Sequence, residues 1–134
     1  MSVTENGDED VEHGLLVKAL VEDLKKQGFE ILNAACEGYP LCPEMESLVP
    51  DVKAYNRKKE FVVFGLAKTC NELGKTQTEE EFKYFSRRFM PKGKSKGIAV
   101  PFCIAITKGC ENQLDACLSK LKLDQKKNIF KYAF

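Results

Sequence analysis

The sequence has no apolar run near the roughly 20 residues that a transmembrane helix requires. Its first 14 residues, MSVTENGDEDVEHG, are acidic where a secretory signal peptide would be basic and then apolar. The composition, 43% hydrophobic and 31% charged, is typical of a folded protein in water. We therefore predict a cytoplasmic (intracellular) protein with no membrane partner.

The sequence also has few of the residues that build zinc or phosphate sites. Histidine occurs once, at His13, and no two cysteines have CxxC spacing, so a histidine-based zinc site is excluded. We interpret His13 as a surface or capping residue and the six cysteines as buried free thiols, with three disulfide bonds as the alternative. The GKT at residues 74–76 is not a phosphate-binding loop, because the first glycine of GxxxxGK[ST] would have to replace Thr69.

Acidic residues are missing between Glu81 and Glu111. The net charge of +1 hides this asymmetry, because five of the 20 acids lie in the first 12 residues and leave 15 acids against 21 basic residues. A basic surface attracts phosphate backbones, although a solvated lysine surface has the same composition. The nucleic-acid-binding residues that we predict in this interval are Arg87, Arg88, Lys92, Lys94 and Lys96.

The hydrophobic pattern predicts one α/β domain. Residues 1–10 lack periodicity and are predicted as a flexible acidic tail, and residues 11–134 as a single domain. Thr78 and Glu81 are expected to form a capping box. The order α-β-β-β-α-β-α predicts a mixed central sheet flanked by helices. The predicted segments are helices at 11–27, 78–89 and 111–121, strands at 29–35, 51–55, 60–68 and 98–107, and a further edge strand within 127–134.

The segment VPDVKAYNRKKEFVVFGLAKT, residues 49–69, carries the motif on which the functional prediction depends. Pro50-Asp51 opens the first strand of a predicted hairpin, and Lys68 ends the second. With the helix before it, this pattern resembles the PD-(D/E)xK nuclease superfamily. The resemblance covers the helix-to-hairpin region and, more loosely, the following helix and strand. It implies the restriction endonuclease-like fold.

The resemblance implies metal-assisted phosphodiester hydrolysis, in which two carboxylates hold Mg²⁺ and a lysine orients the attacking hydroxide. It assigns Asp51 and Lys68 to that site. Leu66 occupies the position of the second acid, and leucine offers the metal no oxygen, so the resemblance implies a degenerate active site. Mg²⁺ is the expected cofactor only if Glu72 replaces the missing acid. The catalytic residues are then Asp51, Lys68 and Glu72, and the metal ligands are Asp51 and Glu72.

Three functions remain open at this point. The first is a nuclease-fold protein that binds nucleic acid, DNA rather than RNA by resemblance, and is catalytically impaired. The second is an active magnesium-dependent nuclease that uses Glu72, with Glu12 or Glu22 resembling the helix acid of some superfamily members. The third is a structural or protein-interaction domain, including a homodimer.

Overall fold

The protein forms a five-stranded mixed sheet with helices on both faces, which confirms the predicted α/β class. The structure is a computed structural model that describes the backbone of residues 2–134 and the side chains of residues 9–134. The helices are α1 (Ser2–Lys26), α2 (Thr76–Ser86) and α3 (Glu111–Lys120), with a short 3-10 turn at Cys70–Glu72. The strands are β1 (Glu30–Ala34), β2 (Val52–Asn56), β3 (Phe61–Lys68), β4 (Phe102–Ile106) and β5 (Ile129–Ala133).

The strands lie side by side in chain order, β1 to β5. β1–β2 and β2–β3 are antiparallel, so the predicted hairpin is confirmed, whereas β3–β4 and β4–β5 are parallel. Parallel neighbours need a crossover, and α2 and α3 supply the two crossovers. β4 is shorter than the predicted strand, because residues 98–100 pair with the segment that follows α2. The C-terminal edge strand is present as β5.

Two hydrophobic cores lie on opposite faces of the sheet. Along β3 the side chains alternate: Val63 and Ala67 belong to the core under α1, and Phe64 and Leu66 belong to the core under α2 and α3. Gly65 faces α1, where an added Cβ would lie 2.7 Å from a methyl carbon of Leu20. The absence of a side chain at Gly65 therefore lets Leu20 of α1 pack directly on β3, and a larger residue would force the Leu20 side chain to shift.

The first helix differs from the prediction at its N-terminus. α1 begins at Ser2 rather than at residue 11, so the backbone of residues 2–10 is helical. Asn71 donates a hydrogen bond to Glu9 and Thr107 donates one to Glu12, so this half of α1 is anchored to the loops after β3 and β4. Of the helices described, α1 included, none is both long and apolar enough to cross a membrane.

Two of the six cysteines form a disulfide bond, so the interpretation of all six as free thiols is wrong. Cys70 and Cys110 are bonded with a Cα–Cα distance of 5.5 Å, and the bond joins the 3-10 turn after β3 to the start of α3. The bond closes a loop of the chain with a sequence separation of 40 between the two cysteines. On the chain-entropy model, closing such a loop stabilises the fold by about 4 kcal/mol. Disulfide bonds persist mainly in oxidising compartments, so this one weighs against the cytoplasmic location, which stays a prediction. The free cysteines are Cys36, Cys42, Cys103 and Cys117.

Candidate functional site

Asp51 lies immediately before β2, level with the end of β3. Its backbone N–H donates to the carbonyl of Gly65, and its carboxylate Oδ2 accepts the N–H of Ala67 at 2.8 Å. The same oxygen lies 3.1 Å from Nε2 of His13 on α1. The Asp51 side chain is only 15% exposed. Asp51 therefore extends the β2–β3 ladder with its side chain and ties α1 to the end of β3.

His13 is a site residue that the sequence analysis missed. It is half-buried, and its hydrogen bond to Asp51 raises the pKa of the imidazole above its usual value, with burial opposing the shift and the Glu72 charge adding to it. The interpretation as a surface or capping residue does not describe this environment. Its position gave a signal, because His13 precedes Leu16 and Val17 by three and four residues and so shares the buried face of α1.

The His13–Asp51 pair makes stability depend on pH. The pKa of His13 is raised above 6.5 in the folded protein, so the pair stabilises the fold fully below that pH and its contribution is lost as pH rises through the raised value. We expect the free energy of unfolding to fall as the pH rises from below 6.5 through the raised pKa of His13, and His13→Gln to lack this fall. Urea unfolding over a pH series measures it. Because His13 is the only histidine, an identical pH dependence in the variant would contradict the assignment.

Lys68 ends β3 and is buried against α2. Its Nζ lies 2.6 Å from Oε1 of Glu81, and both residues are only 7% exposed. The predicted capping box of Thr78 and Glu81 is therefore wrong: α2 begins at Thr76, and Glu81 faces the sheet. A buried ammonium group must have a charged or polar partner, and Glu81 fills that role for Lys68.

Glu72 caps its own turn. One of its carboxylate oxygens accepts hydrogen bonds from the backbone N–H and the hydroxyl of Thr69, at 2.9 Å and 3.2 Å. Its other oxygen lies 3.9 Å from Nζ of Lys68. Glu72 is thus near Lys68, as predicted from the sequence. Its carboxylate, however, caps the 3-10 turn that follows β3.

Leu66 and Lys68 share one face of β3, as predicted, and that face is the core under α2 and α3. Leu66 is 1% exposed and packs in that core. The carboxylate of Asp51 is bonded instead to the backbone of β3 and to His13 on α1. The position that an acid would occupy is therefore filled by apolar packing.

The residues of this polar cluster do not fit a magnesium site. We define the cluster as the five side chains that surround the end of β3: His13, Asp51, Lys68, Glu72 and Glu81. Their carboxylates accept hydrogen bonds from the chain's own N–H, O–H and ammonium groups. Within residues 9–134, no three His, Cys, Asp or Glu side chains are grouped so as to hold a metal ion.

A second candidate site lies at the opposite end of β3, where the loop of residues 91–97 packs on the β2–β3 turn. The buried Ser95 hydroxyl donates to the carbonyl of Lys59 at 2.6 Å, and the Lys94 ammonium lies 3.7 Å from Glu60 and 3.4 Å from the carbonyl of Lys58. At Gly93, φ is +81° and an added Cβ would lie 2.9 Å from a Glu60 carboxylate oxygen. The loop is therefore held firmly against the turn.

This packing joins two basic segments that are far apart in sequence. Lys58 and Lys59 are exposed on the turn, beside the exposed lysines of the loop. Lys58 and Lys59 are not among the residues predicted from the sequence, because the pattern of residues 56–59 indicates only a polar turn. Arg87, which was also predicted to bind nucleic acid, is exposed at the C-cap of α2, outside these two segments. We define the basic surface as Lys58, Lys59, Arg88, Lys92, Lys94 and Lys96.

No protein-family model matches the sequence, and no curated protein and no solved structure matches it. The resemblance to the PD-(D/E)xK superfamily therefore depends on residues 49–69 and on the order of the elements. Membership of that superfamily stays a prediction.

Proposed function

We propose that this protein binds nucleic acid through the basic surface and does not hydrolyse it. One observation carries the proposal: the loop of residues 91–97 is hydrogen-bonded to the β2–β3 turn, so that lysines from both segments lie on one positive surface. Only Glu60 pairs with a member of this surface among the ion pairs of the described residues. A cluster of cations gains affinity for a phosphate backbone because binding releases condensed counterions.

The polar cluster supports the second half of the proposal. Hydrolysis by the implied mechanism needs oxygen ligands free to bind a divalent ion. Asp51 and Glu72 instead accept hydrogen bonds from Ala67 and Thr69, and Leu66 offers no oxygen. An active nuclease that uses Glu72 would first have to break the turn that Glu72 caps. DNA is proposed rather than RNA only because of the superfamily resemblance.

The proposal predicts a loss of affinity when lysines of the basic surface are neutralised. In Lys58→Gln/Lys92→Gln/Lys96→Gln, we expect affinity for duplex DNA to fall about tenfold or more at low salt. The slope of log K against log salt should become shallower by about 3, since each lost phosphate contact removes about one unit. Fluorescence anisotropy with a labelled duplex over a salt series measures both quantities.

The matched control removes the same charge elsewhere. Three other lysines are also exposed: Lys18 on α1, and Lys75 and Lys108, which follow β3 and β4 at the end of the sheet opposite the basic surface. Lys18→Gln/Lys75→Gln/Lys108→Gln should bind nearly as the unsubstituted protein does. Equal losses in both triple variants would show that only net charge matters and would contradict an assigned surface.

A further inference from the structure

A pocket of about 400 Å³ opens beside the basic surface. It lies between β2 and β3 on one side and the start of the 91–97 loop on the other. Phe64, Met90 and Val100 are nearly fully buried and form its floor, whereas Phe89 and Lys92 are exposed at its rim. This volume is within the range of pockets that hold small organic ligands.

The charges around the pocket select a negatively charged ligand. Lys53, Arg88 and Lys92 contribute three cationic side chains to the lining. The one acid of the lining is Glu60, whose carboxylate lies 3.7 Å from Lys94. The floor offers dispersion contacts and no charge, so the pocket suits a ligand with a body that packs on apolar side chains and an anionic group at its edge.

Arg88 and Phe89 supply the groups that hold an unpaired base. The Arg88 guanidinium stacks 4.0 Å from the ring centre of Tyr84, and its Nε donates to the Tyr84 carbonyl at 3.0 Å, so the orientation of the guanidinium is fixed. Phe89 is an aromatic side chain that is 62% exposed at the rim. Proteins bind the bases of single strands by stacking them on aromatic rings and guanidinium planes.

The pocket is formed in advance of binding. The N–H of Val100 donates to the carbonyl of Arg88, and the N–H of Met90 donates to the carbonyl of Ile98, both at 2.9 Å. These bonds join residues 88–90 to residues 98–100, on the two sides of the loop. The residues that line the pocket therefore need little further ordering when a ligand binds, which lowers the entropic cost of binding.

We propose that this pocket receives one unpaired base of a single-stranded nucleic acid, while Lys53 and Lys92 contact the adjacent phosphates. The inference rests on the proposed function, since the basic surface brings the strand to the pocket. A base in a duplex would have to leave its stack to enter, at a cost in free energy. The protein should therefore prefer a single strand to a duplex of the same sequence.

The test fills the pocket without changing charge. Val62 lines the pocket and is partly buried, so Val62→Phe places a ring where the base would lie. We expect the unsubstituted protein to bind a 20-nucleotide single-stranded DNA about tenfold more tightly than the duplex, and Val62→Phe to lose that preference while duplex affinity is unchanged. Phe89→Ser, at an exposed position, should lower single-strand affinity in the same selective way. Val11→Phe, at an exposed position on α1, is the control.

The outcomes separate the two proposals. Equal affinity of the unsubstituted protein for single strand and duplex would overturn the pocket assignment and leave nucleic-acid binding standing. Equal losses for both DNAs in Val62→Phe and Phe89→Ser would also overturn it. Absence of binding to either DNA at low salt would overturn the proposed function and the pocket assignment with it.

Discussion

Lys68→Met is expected to lower the free energy of unfolding by about 3–5 kcal/mol. The physical reason is that Glu81 would keep a carboxylate in a nearly water-free position after its partner ammonium, now 2.6 Å away, is removed. The opposite replacement, Glu81→Leu, should also be harmful, because it leaves the buried ammonium with only the more distant carboxylate of Glu72, 3.9 Å away. Urea unfolding monitored by circular dichroism measures both variants.

The double variant Lys68→Met/Glu81→Leu is the informative control. Replacing a whole buried ion pair with apolar groups is often neutral or stabilising, so we expect most of the lost stability to return. Lys131→Met removes one partner of an exposed pair with Asp115 and should change stability little. If Lys68→Met were as mild as Lys131→Met, Lys68 would not be buried with its partner as described.

Leu66→Glu is expected to destabilise the protein by about 4 kcal/mol or more. Leu66 is 1% exposed in the core under α2 and α3, and an ionised carboxylate there would have lost its water. The volume-conserving control Leu66→Met should lose less than about 1.5 kcal/mol. Thermal or urea unfolding of the two variants side by side measures the difference.

This variant also tests whether the metal site was emptied by a single change. A Leu66→Glu protein that is as stable as its parent and binds Mg²⁺ in a calorimetric titration would contradict the description of position 66 as packed core. It would favour a site that lacks only its acid. Loss of stability with no metal binding is the result that the packing of Leu66 predicts.

Local sequence patterns predicted the elements well, because periodicity reports which face of a helix or strand is buried. The β2–β3 hairpin, α3 and the edge strand β5 follow from such patterns. The N-terminal extension of α1 did not, because the hydrogen bond that joins it to the domain runs from Glu9 to Asn71, far along the chain.

The site was predicted only in part, because its pairings are tertiary. Asp51, Lys68 and Glu72 do lie near the end of β3. The local sequence, however, does not show that Glu81 pairs with Lys68 instead of capping α2. His13 was not predicted as a site residue either, although helical spacing places it on the buried face of α1. The pairing of Cys70 with Cys110 was not predicted either, because spacing alone does not choose partners among six cysteines.

The central claim is that the basic surface binds nucleic acid, and the most direct measurement is the affinity for labelled single-stranded DNA across a series of salt concentrations. The account predicts binding at low salt and a steep linear fall of log K with log salt, because several lysines release counterions on contact. Binding that does not change with salt, or no binding at the lowest salt, would contradict it.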